Sequence, residues 1–333
     1  MEHLGLVGLG DSGHAQLFTA LTGLDASSAS DRLLGVVHLP DERLDALAKM
    51  SSSKKVVPAT FQIAFVPGLS TEAGKGLGSR LLGTLRDCDA LMIMVRGDAD
   101  HDAARELASV EEELILADLG SVEQRVAKQR RAMKGDKTLA PEVAALERAE
   151  EALGNGTPIY RSDLTDAERT LLEPVFLLTN KPALVVVNID VDQVGEADAL
   201  AAPFGDDALA VCVEAESAAV GDVEFLKELG VPESVVPRLG RSALRMLGRH
   251  VFLTTGEDES RAWTFRAGSA APECAGVIHS DLQRGFIRAE VIFWEDLLAI
   301  GSWDEAKKTG KLRVEGKDYP VQDGDVLEIR FNV

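Results

Sequence analysis

Residues 3–23, HLGLVGLGDSGHAQLFTALTG, constrain the fold more than any other stretch of the chain. A short apolar run ends in glycine, and AQLFTALTG follows at once, with apolar residues at 17, 18 and 21 and a closing glycine. The continuous run predicts a strand covered on both faces, and the helical spacing after it predicts a helix. Strand, glycine loop and helix in that order open a parallel α/β sheet. The glycines Gly8 and Gly13 have the spacing of a phosphate-binding loop.

Further strands are predicted at FQIAFVPGL (61–69), DALMIMVRGD (89–98), PALVVVNID (182–190) and LAVCVEAE (209–216). They are continuous apolar runs, so helices should cover both sheet faces of a doubly wound, mainly parallel sheet. From about 100 to 175 the texture changes to Glu, Ala, Leu and Arg. Ile115, Leu119, Val122 and Val126 step at helical spacing, and Leu139, Val143, Leu146 and Leu153 continue it after KGDK (134–137). Two readings stand: an antiparallel helical hairpin, coiled-coil in style, or two separate surface helices. From about 251 the stretches RAWTFRAG, GFIRAEVIFWEDL, KLRVEGKDYPV and DVLEIRFNV predict short strands in a separate small domain with a mixed sheet.

Charge narrows the function classes. A formal net charge of −20 argues against a protein that coats nucleic acid over its whole surface, though not against a local basic patch. No apolar run reaches the ~20 residues of a membrane span, so no membrane partner is expected. The cysteines Cys88, Cys212 and Cys274 are widely spaced and odd in number, which fits a reducing cytoplasm. No metal-ligand spacing is present among the cysteines and histidines. Cys88, within RDCDA, reads as a small buried core residue.

Taken together, GVVHLPDERLDALAKM (35–50), KGLGSRLLGTLRDCDALMIMVR (75–96), EEELILADLGSVEQRV (111–126), LLTNKPALVVVNID (177–190), RAWTF (261–265) and GFIRAEVI…EGKDYPVQDGDVLEIRFNV resemble the YchF / Obg-like ATPase family almost end to end. The resemblance implies a P-loop NTPase-like domain over 1–100 and 176–250, an inserted helical hairpin over 101–175, and a TGS domain, a β-grasp module, over 251–333. It also implies a cytoplasmic NTPase that prefers ATP over GTP and associates with ribosomes.

The sequence departs from that pattern at the residues that carry the chemistry. A working loop ends Gly-Lys-Ser/Thr, whereas here Gly13 is followed by His14 and Ala15. Histidine is shorter than lysine and, with an ordinary pKa near ~6.5, mostly neutral at pH 7. Alanine cannot ligate magnesium. Asp11 adds a negative charge where the family carries asparagine. The strand that should end Asp-x-x-Gly reads Phe65-Val66-Pro67-Gly68, which keeps the glycine and loses the metal aspartate. The switch segment LDASSASDRLL lacks the family's threonine and leaves only Ser27, Ser28 and Ser30. The base-reading loop is Asn188-Ile189-Asp190-Val191, with Val191 in place of a polar reader.

The candidate nucleotide-binding residues are therefore Gly8, Gly10, Asp11, Ser12, Gly13, His14, Ala15, Gln16, Gly68 and Asn188. The same glycines also suit a plain strand-to-helix turn. ATP or GTP is expected weakly if at all, and magnesium is not expected. Near the hairpin turn, RVAKQRRAMKGDK (125–137) carries Arg125, Lys128, Arg130, Arg131, Lys134 and Lys137 against one aspartate. This is either a solvated helix end or a foot for ribosomal RNA or another anionic partner. Residues 251–333 hold 10 Lys or Arg against 15 Asp or Glu, so a TGS-domain contact with a translation-related protein would rest on shape. The leading expectation is a binding module with degenerate nucleotide motifs. Against it stand a divergent ATPase or GTPase using His14 and water-held magnesium, and a scaffold for an intact paralogue.

Overall fold

The computed structural model describes residues 3–68, 79–219 and 221–332. Residues 69–78 lie outside it, and with them Leu69 and the first four residues of the KGLGSRLLGTLR stretch. In chain order the strands are β1 (His3–Gly8), β2 (Leu33–Leu39), β3 (Val56–Val57), β4 (Ala59–Phe65), β5 (Ala90–Arg96), β6 (Ala183–Asn188), β7 (Leu209–Val211), β8 (Arg249–Thr254), β9 (Ser260–Arg266), β10 (Phe286–Phe293), β11 (Arg313–Glu315) and β12 (Asp325–Phe331). The helices that matter for the site are α1 (His14–Thr22), α2 (Glu42–Met50), α3 (Ser79–Arg86), α4 (Ala103–Ala132), α5 (Ala140–Gly154) and α6 (Asp166–Leu172). The chain forms two compact units, one from residues up to Val37 with Phe61–Val235, the other from His38–Thr60 with residues from Val236 on.

The first unit is built on a six-stranded sheet of order β2-β4-β1-β5-β6-β7. Strand β1 runs parallel to β4 and β5, β5 to β6, and β6 to β7. Every residue of β5 from Ala90 to Val95 is buried, as are Leu4, Leu6 and Val7 of β1. Strands with no exposed face need helices on both sides, which is the doubly wound arrangement. Strand β2 carries no separate prediction from the sequence, because its burial alternates and its apolar run is broken at Gly35. The expected strand at 209–216 is only Leu209–Val211, and Val213–Ala219 is helical. The Glu- and Ala-rich end of that run favours a helix, and its buried Glu216 accepts from the Val235 N–H at 2.7 Å and the Ser234 hydroxyl at 3.0 Å.

The insert is a helical hairpin. Asp102 caps α4 by accepting from the Ala104 and Arg105 N–H groups. The first half of α4 packs Leu107, Val110 and Leu114 into the sheet core, together with Val7, Ile93 and Val187. Its second half packs Ile115, Val122 and Val126 with Leu146, Ala149 and Leu153 of α5, and with Leu172 of α6, in a second core. One helix therefore belongs to two cores, which ties the hairpin to the sheet. Asp118 sits between them, fully buried, and accepts from the Leu178 N–H at 3.0 Å, the Thr179 N–H at 2.7 Å and the Thr179 hydroxyl at 2.8 Å. Burial pushes its carboxyl above the ordinary carboxylate range. Cys88 is a core residue, its thiol donating to the Thr84 carbonyl and pushed up to about 11 by burial.

The second unit carries a sheet of order β11-β10-β12-β8-β9-β3. Strand β10 is antiparallel to β11 and β12, β8 is antiparallel to β9, and β12–β8 and β9–β3 are parallel. The helix Ala271–Ile278 covers one face, with Ala271, Cys274 and Ala275 against Phe252, Phe265 and Phe286. Residues 38–60 and 236–250, expected with the NTPase-like stretch, pack inside this unit. A chain of hydroxyls explains the first of these. The Thr255 hydroxyl lies 2.8 Å from Ser51 Oγ and 2.6 Å from Ser260 Oγ, and Ser53 Oγ lies 2.8 Å from Ser260 Oγ. Among the described residues no helix is long and apolar enough to cross a membrane.

Replacing Asp118 with alanine strands two buried amides and a hydroxyl. Asp118→Ala should lower the unfolding free energy by about 3 kcal/mol in urea titrations, with Asp118→Asn costing less, because its amide retains one accepting oxygen.

Candidate functional site

The loop after β1 turns because its glycines leave room that no side chain could share. Gly13, the N-cap of α1, has φ 90°, in the left-handed region that favours glycine. A Cβ there would lie 2.6 Å from Asn188 Nδ2, and one on Gly8 would lie 2.7 Å from the Met94 carbonyl oxygen. Asn188 donates to the Ser12 carbonyl at 3.2 Å and accepts from the Val213 N–H at 3.3 Å. The end of β6 thus clips the loop from one side. The fold brings Gly8 to Ala15, Gly68 and Asn188 into one neighbourhood.

Inside the loop, His14 points inward and is 1 % exposed. Its Nε2 lies 3.2 Å from the Val66 carbonyl and its Nδ1 lies 2.9 Å from the Ser12 hydroxyl. A carbonyl only accepts, so Nε2 carries the proton, and in the neutral ring that burial favours Nδ1 accepts from the Ser12 hydroxyl. Burial lowers its pKa to about 4, against a smaller upward pull from the Val66 bond. The ring stacks on Phe65 with centroids 5.1 Å apart and planes at 22°, and Phe65 packs on Phe18 at 5.5 Å.

The opposite wall closes on the loop. A Cβ on Gly68 would stand 2.3 Å from Gly10 Cα and 3.1 Å from His14 Cε1, so the segment 66–68 lies directly against the loop backbone. Asp11, though exposed, is ion-paired to Arg96 at 2.6 Å, and Arg96 is also held by the buried carboxylate of Glu106. Ala15 and Phe65 bring a methyl group and a phenyl ring to the places where a P-loop site presents oxygen ligands. That donor set does not fit a magnesium ion. Among the described residues no cluster of three His, Cys, Asp or Glu side chains is arranged to hold a metal.

The remaining candidates are scattered. Gln16 is exposed on the first turn of α1. Ser27, Ser28 and Ser30 are exposed, and Asp25 accepts from the Ser27 N–H at 2.8 Å, a solvated turn. Val191 begins a 3₁₀ turn and is 46 % exposed, offering no polar atom. Arg96, Glu106 and Phe18 escaped the sequence reading. None lies in a recognisable motif; only an acid within the apolar face of α4 hints at Glu106.

The basic cluster does sit at the hairpin tip, around the end of α4 and the turn Lys137–Leu139. Arg125 is ion-paired to Glu142 at 2.7 Å and Arg130 to Glu147 at 2.7 Å. Lys128, Arg131, Lys134 and Lys137 are exposed and make no ion pair with any described residue.

Comparison with known proteins gives a consistent picture. The YchF-GTPase C-terminal family model, described as a protein of unknown function (DUF933), matches residues 250–332. The chain is 38 % identical over 362 aligned positions to the ribosome-binding ATPase YchF of Bacillus subtilis, covering 99 % of both chains. It is 35 % identical to the ribosome-binding ATPase YchF of Escherichia coli O157:H7, again over 99 % of both. The solved YchF GTPase of Schizosaccharomyces pombe superposes with a TM-score of 0.82 at 26 % identity, over 99 % of this chain and 97 % of that one. The first alignment spans 362 positions against 333 residues here, so this chain lacks segments that its relative has.

A histidine buried neutral makes stability depend on pH. The unfolded chain protonates His14 near the ordinary histidine value of 6.5 and the folded chain only near about 4, so stability is full above pH 6.5 and falls as pH drops from 6.5 towards 4. Between pH 7 and pH 5 this site should cost about 2 kcal/mol. Denaturant titrations at the two pH values should show the loss shrinking by that amount in His14→Gln.

Proposed function

The chain belongs to the YchF family, and from that premise we propose that it has kept the nucleotide-binding fold, lost magnesium-dependent hydrolysis, and works in the cytoplasm as a binding module on ribosomes. The observation that carries this reading is the set of side chains at three positions: an imidazole at 14, a methyl at 15 and a phenyl at 65. Phosphoryl transfer depends on positioning and on neutralising charge with a metal ion and a lysine. Here the imidazole is neutral and its two nitrogens are already bonded within the chain. Asp11 places a carboxylate at the mouth of the same loop. ATP and GTP therefore bind weakly, without magnesium, and Val191 gives little preference between the bases.

Support for the ribosome as partner comes from the names of the relatives in Bacillus subtilis and Escherichia coli, both ribosome-binding. Support from this chain is the hairpin tip, where Lys128, Arg131, Lys134 and Lys137 are exposed and unpaired among the described residues. In a protein of net charge −20 such a patch orients the molecule towards a polyanion by this end. The TGS-like unit adds a contact by shape.

The hydrolysis reading is tested by steady-state ATP and GTP turnover with magnesium, run beside the Bacillus subtilis relative. This chain should remain at the no-enzyme background. Turnover that follows the protein through purification and vanishes in His14→Gln would establish the divergent NTPase instead.

The partner reading is tested by ribosome co-sedimentation across a salt series. Each phosphate contact adds roughly −0.7 to −0.9 to the log–log slope, so Lys128, Arg131 and Lys134 changed together to alanine should flatten it by about two to three. Stability should change by no more than about 0.5 kcal/mol per residue, because these charges are exposed. An unchanged slope would mean that the tip is only a solvated surface.

A further inference from the structure

His14 and Phe65 stand at two separate motif positions, 51 residues apart, yet they are not two independent losses. Their rings are stacked at 5.1 Å, and Phe18 of α1 packs against Phe65 as well, at 5.5 Å with the planes tilted by 48°. All three are buried, at 1 %, 2 % and 0 % exposure. The imidazole is held from two directions, by the Ser12 hydroxyl within the loop and by the Val66 carbonyl beyond β4. Lysine and aspartate at these positions would face each other across polar space meant for phosphate and metal. Histidine and phenylalanine instead fill that space with each other.

Two further contacts close the site. Gly10 and Gly68 meet backbone to backbone, with no room for even a Cβ between them. Asp11 gives Arg96 an anion from within the chain, alongside Glu106. The loop thus has an internal aromatic filling, an internal carboxylate and a shut seam.

We propose that His14 and Phe65 form an internal plug that holds the phosphate loop in one closed, nucleotide-independent state. Withdrawing the imidazole would break both of its hydrogen bonds and open an apolar stack to water, so the loop gains nothing by opening for a ligand. The protein's binding surfaces are then always presented in the same form, without a nucleotide cycle. This inference rests on the reading that hydrolysis is lost, and it deepens that reading from absent chemistry to a packed replacement for it.

The test has three parts. In a double-mutant cycle on the full chain, His14→Ala and Phe65→Ala should be strongly non-additive, with the double variant hardly less stable than the worse single one, a coupling of about tenfold or more in the folding constant. His14→Gln and Phe65→Leu give a milder cycle where the alanine variants fold poorly. His14→Gly should regain unfolding temperature on addition of free imidazole, while Phe65→Ala should not. In the wild type, hydrogen exchange of amides 8–16 should be slow without nucleotide and unchanged by saturating magnesium–ATP or magnesium–GTP.

Additive single effects in both cycles, absence of imidazole rescue, or nucleotide-dependent protection of the loop would each overturn the plug. Coupled residues in a chain that nonetheless turns over ATP would defeat the hydrolysis reading and leave the coupling standing. Additive residues in an inactive chain would defeat only the plug.

Discussion

Strands β1 and β5 are buried along nearly their whole length, and the rest of the first unit depends on that burial. A sheet with no solvent face must be covered by helices on both sides, so its polar groups can only emerge at strand ends. The loop after β1, the segment after β4 and the end of β6 all emerge together there. That is why Ser12, Val66 and Asn188 meet although they lie far apart in sequence. In an open α/β sheet, the crevice outside the carboxyl ends of the strands is the ordinary place for a ligand.

What fills this crevice differs from what the motif spacing leads one to expect. The loop kept the glycines that its backbone path demands, since Gly8 and Gly13 each approach a neighbour too closely for a Cβ. At positions 14, 15 and 65 the side chains are an imidazole, a methyl and a phenyl, and the imidazole and phenyl pack on each other. Constraint on backbone shape and constraint on chemistry can be released separately, because one is enforced by sterics within the sheet and the other only by the ligand.

The hairpin is coupled to the sheet by α4, which contributes to both cores, and by Asp118, which gathers the chain as it returns to β6. The basic tip lies at the end of α4 farthest from the half that packs on the sheet. At physiological salt, screening over ~8 Å lets the tip act as a local cation in spite of the net charge. The hydroxyl chain ties residues 51–53, a polar segment, to Thr255 and Ser260 of the second unit, 204 to 207 residues away in sequence.

The sequence by itself determined most strands of the parallel sheet, the glycine loop, the two helices of the insert and four strands of the C-terminal unit, because apolar periodicity and glycine placement are local consequences of burial and backbone geometry. It also determined that His14, Ala15 and Phe65 lack the charge and oxygen atoms that nucleotide chemistry uses, since that follows from side-chain identity alone. Only the tertiary structure decided that His14 and Phe65 stack, that Arg96 pairs with both Asp11 and Glu106, and that residues 38–60 join the C-terminal unit. Each of these is a pairing between distant segments whose register is set by the sheet, and no local pattern records which partner a buried imidazole or hydroxyl will meet.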